Sequence, residues 1–462
     1  MPTTPDEWLP VLTKRLDAER PRIAKLRDYN GGHAPLPEMG ENLRASWQAF
    51  QRKARTDYGG LARRSLANRI RQNGLLVGED PNSAQSLAAH RIWRDNRMAQ
   101  QLGNFLTDYL DTGVGYLVDG QDSGGAVITA EMPEYFYAAV DPLRPWRTRA
   151  AIKVWRDEDA HQDYALVWVP GERQRYSRDS FDDNRSLIRS SEGGWAHLGA
   201  PETYDGSVPV FVARRASGKR CDDTYGPLGF VEPHLDVIDR INLGKLNRLV
   251  VVAMQAFRQR ALTTKDGSEG IPEKDENDNP IDYEKLFSPA PGALWDLPPG
   301  VEIWESQTAD WRQLLEGEKE DARSFAGVTG TPISVFIPDG QNQSAQGAAN
   351  ATAEQVAQAE NEIARVAPVL AAAMVRALEI ESVPLDGQSV EVSFEPPAYV
   401  SMSEKFAAVQ QAKAGGLATT TIMREVLGWS PERVAQAQAD LAQEQLAAAT
   451  LTAAVTGGNA VA

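Results

Sequence analysis

The chain has 462 residues, 42% of them hydrophobic and 24% charged, with a formal net charge of −16. That length permits two to four domains with substantial cores, and the acidic balance argues against tight DNA gripping, which relies on Lys and Arg displacing counterions from phosphates. Cys221 is the single cysteine, so no internal disulfide and no cysteine metal cluster can form, in agreement with assembly in a reducing cytoplasm.

The N-terminus opens on Pro2, Thr3, Thr4, Pro5, Asp6 and Glu7 rather than a basic patch and an apolar core, and no run of about 18 apolar residues follows. The expectation is a chain that is neither exported nor membrane-spanning. From Arg44 to Arg71 eight basic residues stand against Asp57 alone. Gly59-Gly60 is expected to separate Arg52 and Arg55 from the later members. The run fits contact with an acidic neighbour or a DNA-binding strip, and equally a solvated helix face.

Gly113-Val114-Gly115-Tyr116-Leu117-Val118, Ala126 to Thr129, Tyr135 to Tyr137, Ala150 to Arg156 and Tyr164 to Val169 bring β-branched and aromatic residues between turns. They predict strands of an antiparallel sheet. Gly113-Val114-Gly115 lacks the third glycine and following helix of a dinucleotide site, so it reads as a hairpin turn.

Leu235, Ile238, Ile241, Leu246, Leu249, Val250, Ala253 and Phe257 recur at three- and four-residue spacing, which predicts one helix over 235–262. At 1.5 Å rise it would reach roughly 40 Å. A long core helix of a large enzyme has the same pattern. The segment that follows shifts the balance: between Thr263 and Asp310 twelve acidic residues face three lysines, in a stretch broken by Asp266-Gly267, Asn279-Pro280, Pro289, Pro291 and Pro298-Pro299-Gly300. A second helix runs from Trp311 through Leu314, Leu315 and Phe325 and stops at Gly327 and Thr329-Gly330-Thr331-Pro332, because a proline cannot continue it.

The polar stretch from Gly340 to Gly347 then precedes an Ala-rich helix over 348–379, expected to be interrupted near Pro368. Val390 to Phe394 predicts a strand. Ser401-Met402-Ser403-Glu404 marks the start of a helix ended by Gly415-Gly416, with two more over 419–427 and 431–446. Past Ala448 the Ala, Thr and Gly composition lacks an apolar stripe, so the last dozen residues are expected to be disordered.

No Walker-type Gly-Lys-Ser/Thr is present, and His33, His90, His161, His197 and His234 are scattered without zinc or metalloprotease spacing. Cys221 has no paired His pattern that would make it a nucleophile.

Two helices flanking an acidic tip, with a small polar loop at the far end of the second, resemble the portal proteins of tailed bacteriophages, the siphophage type in particular. Leu26-Arg27-Asp28-Tyr29-Asn30-Gly31-Gly32, followed by Pro35 and Pro37, is similar to that family's turn after its first helix, although the family often has a paired tyrosine where this chain has Asp28-Tyr29. Lys53 to Tyr58 and Leu61 to Gly74 resemble the start of the family's wing.

The resemblance implies an α+β, mainly helical portal fold assembled as a ring, a dodecamer in the mature particle. It implies a wing over 1–234, a first stem helix over 235–262, a clip over 263–307, a second stem helix over 308–330, a tunnel loop over 331–350, a long wing helix and return strand over 351–400, and a crown over 401–462. Gln341, Asn342, Gln343 and Ser344 would form the loop tip toward double-stranded DNA, since uncharged polar groups contact phosphate without trapping it. Arg240, Lys245, Arg248, Arg258 and Arg260 would line the stem, several of them paired with carboxylates of neighbouring subunits. Glu273, Asp275, Glu276 and Asp278 would dock the terminase and then a head-completion adaptor. Such a subunit is a virion component assembled in the host cytoplasm beside major capsid and scaffolding proteins, with no membrane, cofactor, metal or chemistry of its own. Two other classes fit the residues: an enzyme using the large core and many carboxylates, and a cytoplasmic helical scaffold or nucleic-acid-binding adaptor using the basic run.

Overall fold

Thr4 opens the first helix, α1 (Pro5–Asn30), with a reciprocal cap: its hydroxyl accepts from the Glu7 N–H at 3.4 Å, and the Glu7 carboxylate accepts from the Thr4 N–H at 3.4 Å. Trp8, Leu12, Leu16, Ile23 and Leu26 form its buried stripe. In this computed structural model the described residues are 2–36, 44–180, 188–256, 260–264, 274, 279–280, 301–305, 311–338, 345–398, 400 and 402–458. They divide between two units, Met1–Pro35 with Thr56–Ile238 and Ala322–Ala462, and Leu36–Arg55 with Asp239–Asp321.

After α2 (Arg44–Ala54), α3 (Tyr58–Ala67) begins with Gly59-Gly60 inside it. The expected break at those glycines falls instead at 55–57. Their role is close approach: a Cβ at Gly59 would lie 2.9 Å from the Tyr29 carbonyl oxygen, and one at Gly60 2.4 Å from that of Asn30, so only glycine lets α3 press against the end of α1.

β1 (Gln72–Val77), α4 (Ala84–Asp95) and α5 (Met98–Thr112) follow. Gly113 ends α5 at φ 86°, its N–H donating to the Tyr109 carbonyl at 2.9 Å, and a Cβ there would meet Leu228 backbone at 2.7 Å. The hairpin reading of Gly113-Val114-Gly115 is thereby corrected. The left-handed conformation that glycine permits stops a helix and feeds a strand.

The strands expected at 113–118, 126–129, 135–137, 150–156 and 164–169 are present, as β2 (Val114–Asp122), β3 (Gly125–Glu131), β4 (Phe136–Val140), β5 (Thr148–Asp157) and β6 (Gln162–Val169), with Gly113 and Tyr135 falling just before theirs. The chain adds β7 (Glu172–Asp179), the short β8 (Ala196–His197) and β9 (Glu202–Thr203), then β10 (Val210–Arg214) and the hairpin of β11 (Ser217–Lys219) and β12 (Tyr225–Pro227). One antiparallel sheet was the expectation, and these strands divide between two. A three-stranded sheet runs β10-β2-β3, and a six-stranded one runs β4-β5-β6-β7-β8 with β9 also on β7. Alternation marks a strand but not its partner, and the turn at 132–135 carries the chain from one sheet to the other.

Both faces of β5 are buried, which explains its run of small and branched residues. Ala150, Ile152 and Val154 pack with Trp8, Leu12 and Leu16 of α1, while Ala151 joins Trp168, Phe136, Val118 and Val210 between the sheets. Each fully buried Leu or Ile there contributes about 1.5–3 kcal/mol, so Leu12 and Ile152, both 0% exposed, are positions where truncation would open the core.

A single turn, Glu232–His234, leads into α6 (Leu235–Ala256), followed by β13 (Arg260–Thr264), β14 (Val301–Glu305) and α7 (Trp311–Thr329). The long α8 (Ala345–Ile380) covers the three-stranded sheet and passes unbroken through Pro368, correcting the expected interruption. Pro368 sits on the exposed side, where the missing N–H and bulky ring are tolerated, while Val366, Leu370, Ala373 and Met374 bury the other side. β15 (Val390–Phe394) pairs antiparallel with β1. After α9 (Met402–Ala414) come the helical turns Thr419–Thr421 and Ile422–Val426, and then α10 (Pro431–Gly458). That last helix reaches Gly458, inside the segment expected to be disordered, and residues 459–462 lie outside the described residues. Its alanines have the highest intrinsic helix propensity, which an apolar-stripe criterion ignores.

Candidate functional site

The root of α6 lies in a buried network. Arg22 donates to both Glu232 carboxylate oxygens at 2.9 and 2.5 Å and to the carbonyls of Thr112 and Pro227, and Glu232 also accepts from the N–H groups of Gly229 at 2.8 Å and Cys221 at 3.0 Å. The two charged side chains are each 1% exposed. Burial alone would raise the Glu232 pKa, yet hydrogen bonds and charge from Arg22 hold it below the ordinary carboxylate value.

Within the second unit, α6 and α7 run antiparallel and are joined by cross-helix ion pairs. Arg240 meets Asp321 at 2.9 Å, and Arg248 meets Glu318. Gly244 faces the same partner helix, a Cβ there lying 4.0 Å from Glu318 Cγ. Burial lowers the Lys245 pKa, with Arg248 adding to the effect and Glu318 opposing it.

Three of the five cations expected on a channel wall, Arg240, Lys245 and Arg248, therefore sit on one helix, and Arg240 and Arg248 pair with the returning helix of the same chain. The signal was present in the sequence: Glu316, Glu318, Glu320 and Asp321 make this part of α7 acidic where α6 is basic. Arg258 lies outside the described residues. Arg260 is a correction, because the helix expected to reach Leu262 has given way to β13, which pairs Arg260 with Glu305 and Thr264 with Val301. Cross-strand pairing of β-branched Thr263 and Thr264 with Glu302 and Val301 competes successfully with helix there.

In chain order β13 and β14 flank residues 265–300 of the acidic insert and pair with each other. Of the four residues expected to dock a terminase or adaptor there, Glu273, Asp275, Glu276 and Asp278, all lie outside the described residues. Lys274 forms a bridge with Pro280.

Along the apolar stripe of α6, Leu235, Ile238, Ile241 and Leu246 are buried and Leu249 and Val250 half-buried, while off the stripe Leu243 is 42% and Val252 44% exposed and Val251 half-buried.

In the first unit, α7 ends in an aromatic cluster, with Tyr58 5.1 Å from Phe336 and Phe325 5.4 Å from Phe336 between ring centroids. The expected loop-tip residues Gln341, Asn342, Gln343 and Ser344 lie outside the described residues.

The later half of the basic run is engaged inside the chain. Arg63 pairs with Asp111 at 3.2 Å, Arg64 with Asp57 at 2.6 Å, and Arg69 donates to Gln355 at 2.7 Å and the Pro397 carbonyl at 2.8 Å. On α2, Arg52 and Lys53 are exposed. Among the described residues no cluster of His, Cys, Asp and Glu could hold a metal ion, and no helix is long and apolar enough to cross a membrane.

No family model and no curated protein matches the sequence. Among solved structures, the neck of a native GTA particle computed with C12 symmetry is similar at TM-score 0.48 and 15% identity, covering 88% of this chain and 98% of that one. The neck of an empty GTA particle computed with C6 symmetry gives 0.47 and 14% over 88% and 98%, and the virion of a native gene transfer agent particle 0.44 and 13% over 88% and 99%. Identities this low, with TM-scores below 0.5, define neither a family nor a function.

Proposed function

We propose that the chain is a portal subunit: twelve copies close into a ring at one capsid vertex, and double-stranded DNA enters and leaves through its centre. The observation that carries this reading is the rod of α6 and α7. It is bound together by cross-helix ion pairs, yet it leaves Leu243, Val252 and the half-buried Leu249 to Val251 as a surface that like rods could cover. The acidic insert beyond β13 and β14 would present Glu273, Asp275, Glu276 and Asp278 to the terminase large subunit and then to a head-completion adaptor, while major capsid and scaffolding proteins surround the ring. An acidic conduit suits a duplex that must slide rather than stick. Gln341 to Ser344 would reach the DNA, and the subunit performs no catalysis.

Replacing residues 340–347 by a short linker tests this assignment. Rings should still assemble, and particles carrying the variant should fill poorly or lose their genome. Loss of the ring itself would show that the loop is misplaced.

A further inference from the structure

β5 spans ten residues, about 33 Å at 3.3 Å per residue, and the chain leaves its two ends in opposite chemical states. At the first end, the turn between β4 and β5 is held by three backbone bonds, the Arg147 N–H to the Arg144 carbonyl at 2.8 Å, the Asp141 N–H to the Arg147 carbonyl at 2.8 Å and the Arg144 N–H to the Asp141 carbonyl at 3.2 Å, and by the Leu143 N–H donating to the Asp141 side-chain Oδ1 at 2.9 Å. On this rigid turn Leu143 is 89% and Trp146 75% exposed, with Arg144 and Arg147 exposed beside them. Trp and Arg are the side chains that dominate binding hot spots, and presenting them on a pre-ordered turn reduces the entropy lost on association.

At the other end, the turn between β5 and β6 exposes Asp157, Glu158 and Asp159. Two residues before it, Trp155 lines a cleft of about 450 Å³ that opens between the two sheets, together with Lys153, Leu166, Trp168 and, from the facing sheet, Val127 and Glu131. Lys153 is tied to Glu131 at 2.8 Å. Trp168 is 3% exposed, and its indole Nε1 has no acceptor among the described residues. The cleft is thus aromatic-walled, with a carboxylate-bearing turn close by in sequence and an unmet hydrogen-bond donor.

We infer that the Leu143 to Arg147 turn of one copy seats in this cleft of a second copy, Trp146 entering between the sheets while Arg144 and Arg147 meet Asp157, Glu158 and Asp159. The inference rests on the ring reading and names a contact that could build the ring. Charge complementarity selects the occupant: the turn is a basic, aromatic projection on a chain of net charge −16, and its complement lies at the opposite end of its own sheet. Arginine forks match carboxylates bidentately. Because the two surfaces differ, the contact is head-to-tail, and it repeats from copy to copy until the rotation closes. Duplex DNA fits the turn less well, since backbone binding calls for many cations and this turn offers two beside two large apolar side chains.

Mass photometry of the full chain over a concentration series tests it. R144E/R147E and D157K/D159K should each raise the concentration needed for assembly at least tenfold. Mixing the two variants one to one should restore assembly, since every junction then pairs opposite charges, and so should all four changes in one chain, which also shows that the fold survives. Trp146→Ser should weaken assembly at least tenfold with an unchanged melting temperature. Rings that form in every variant at the wild-type concentration would overturn this contact and leave the ring reading standing. A wild-type chain that never assembles would overturn both. Variants that keep assembling but lose salt-sensitive binding to duplex DNA would assign the turn to nucleic acid and overturn the proposal.

Discussion

Arg22 and Arg240 are both helix arginines paired with a carboxylate far along the chain, but their surroundings differ sharply. Arg22 and Glu232 are each 1% exposed, and backbone groups meet both. Arg240 and Asp321 are 54% and 28% exposed, with the Arg240 Nε–H donating to the carboxylate at 2.9 Å. The first unit repeats the buried pattern at Glu362, which accepts from Tyr109 and Arg215, and at Asp163, which faces Arg156 and Arg178. In the second unit the described part of α6 instead leaves an apolar surface open. The contrast separates a unit that buries its ion pairs among backbone partners from a helix pair with half-exposed ion pairs and exposed apolar side chains.

The sharpest way to break this contrast is at Glu232. Glu232→Ala leaves Arg22 buried and without its carboxylate, and should cost about 3–5 kcal/mol in urea unfolding. A loss under about 1 kcal/mol would mean that the network is dispensable.

A smaller, pH-dependent effect is expected from Asp108. Burial pushes its pKa up to about 6, against the opposing pull of Arg27. The native state therefore binds the proton more tightly than the unfolded chain. Its contribution to stability is fully present below the ordinary value of 3.8 and is lost as pH rises through about 6. Melting temperature measured from pH 4 to 7 should carry this downward component, and Asp108→Asn should remove it.

The smallest effects are expected in the rod. Glu318→Gln, at a partly buried pair, should cost about 1 kcal/mol, and Arg240→Gln, at an exposed one, no more than about 0.5 kcal/mol. Equal and large losses in chemical unfolding would show that the rod depends on its own ion pairs as heavily as the first unit does.

The rod was legible in the sequence because periodic apolar residues and proline breaks are local signals: α7 was expected over 308–330 and spans Trp311–Thr329. β15 was read at its observed bounds for the same reason. β7 was not legible. Its sequence, ERQRYSRD, is polar apart from Tyr176, and it is a strand because Gln174, Tyr176 and Arg178 turn inward, with Arg178 pairing with Asp163 and lying 4.3 Å from the Trp195 ring centroid. Long-range ion pairing decides such a strand, and hydrophobic periodicity does not register it. Arg22 and Glu232 were invisible for the same reason, being 210 residues apart. For the candidate site, the helix and cations of α6 were readable, and so was the acidic run Glu316 to Asp321 on α7, whereas the pairing of Arg240 with Asp321 and Arg248 with Glu318 depends on the packing of the two helices. The end of α6 was overrun because the apolar pattern continues while the backbone changes to a strand whose partner lies about forty residues on.

The central claim is that copies of the rod pack side by side around an open axis. Negative-stain class averages of the purified full chain test it most directly: the account predicts closed, rotationally symmetric rings with a central hole wide enough for duplex DNA. Lone compact particles with no central opening at any concentration would contradict it.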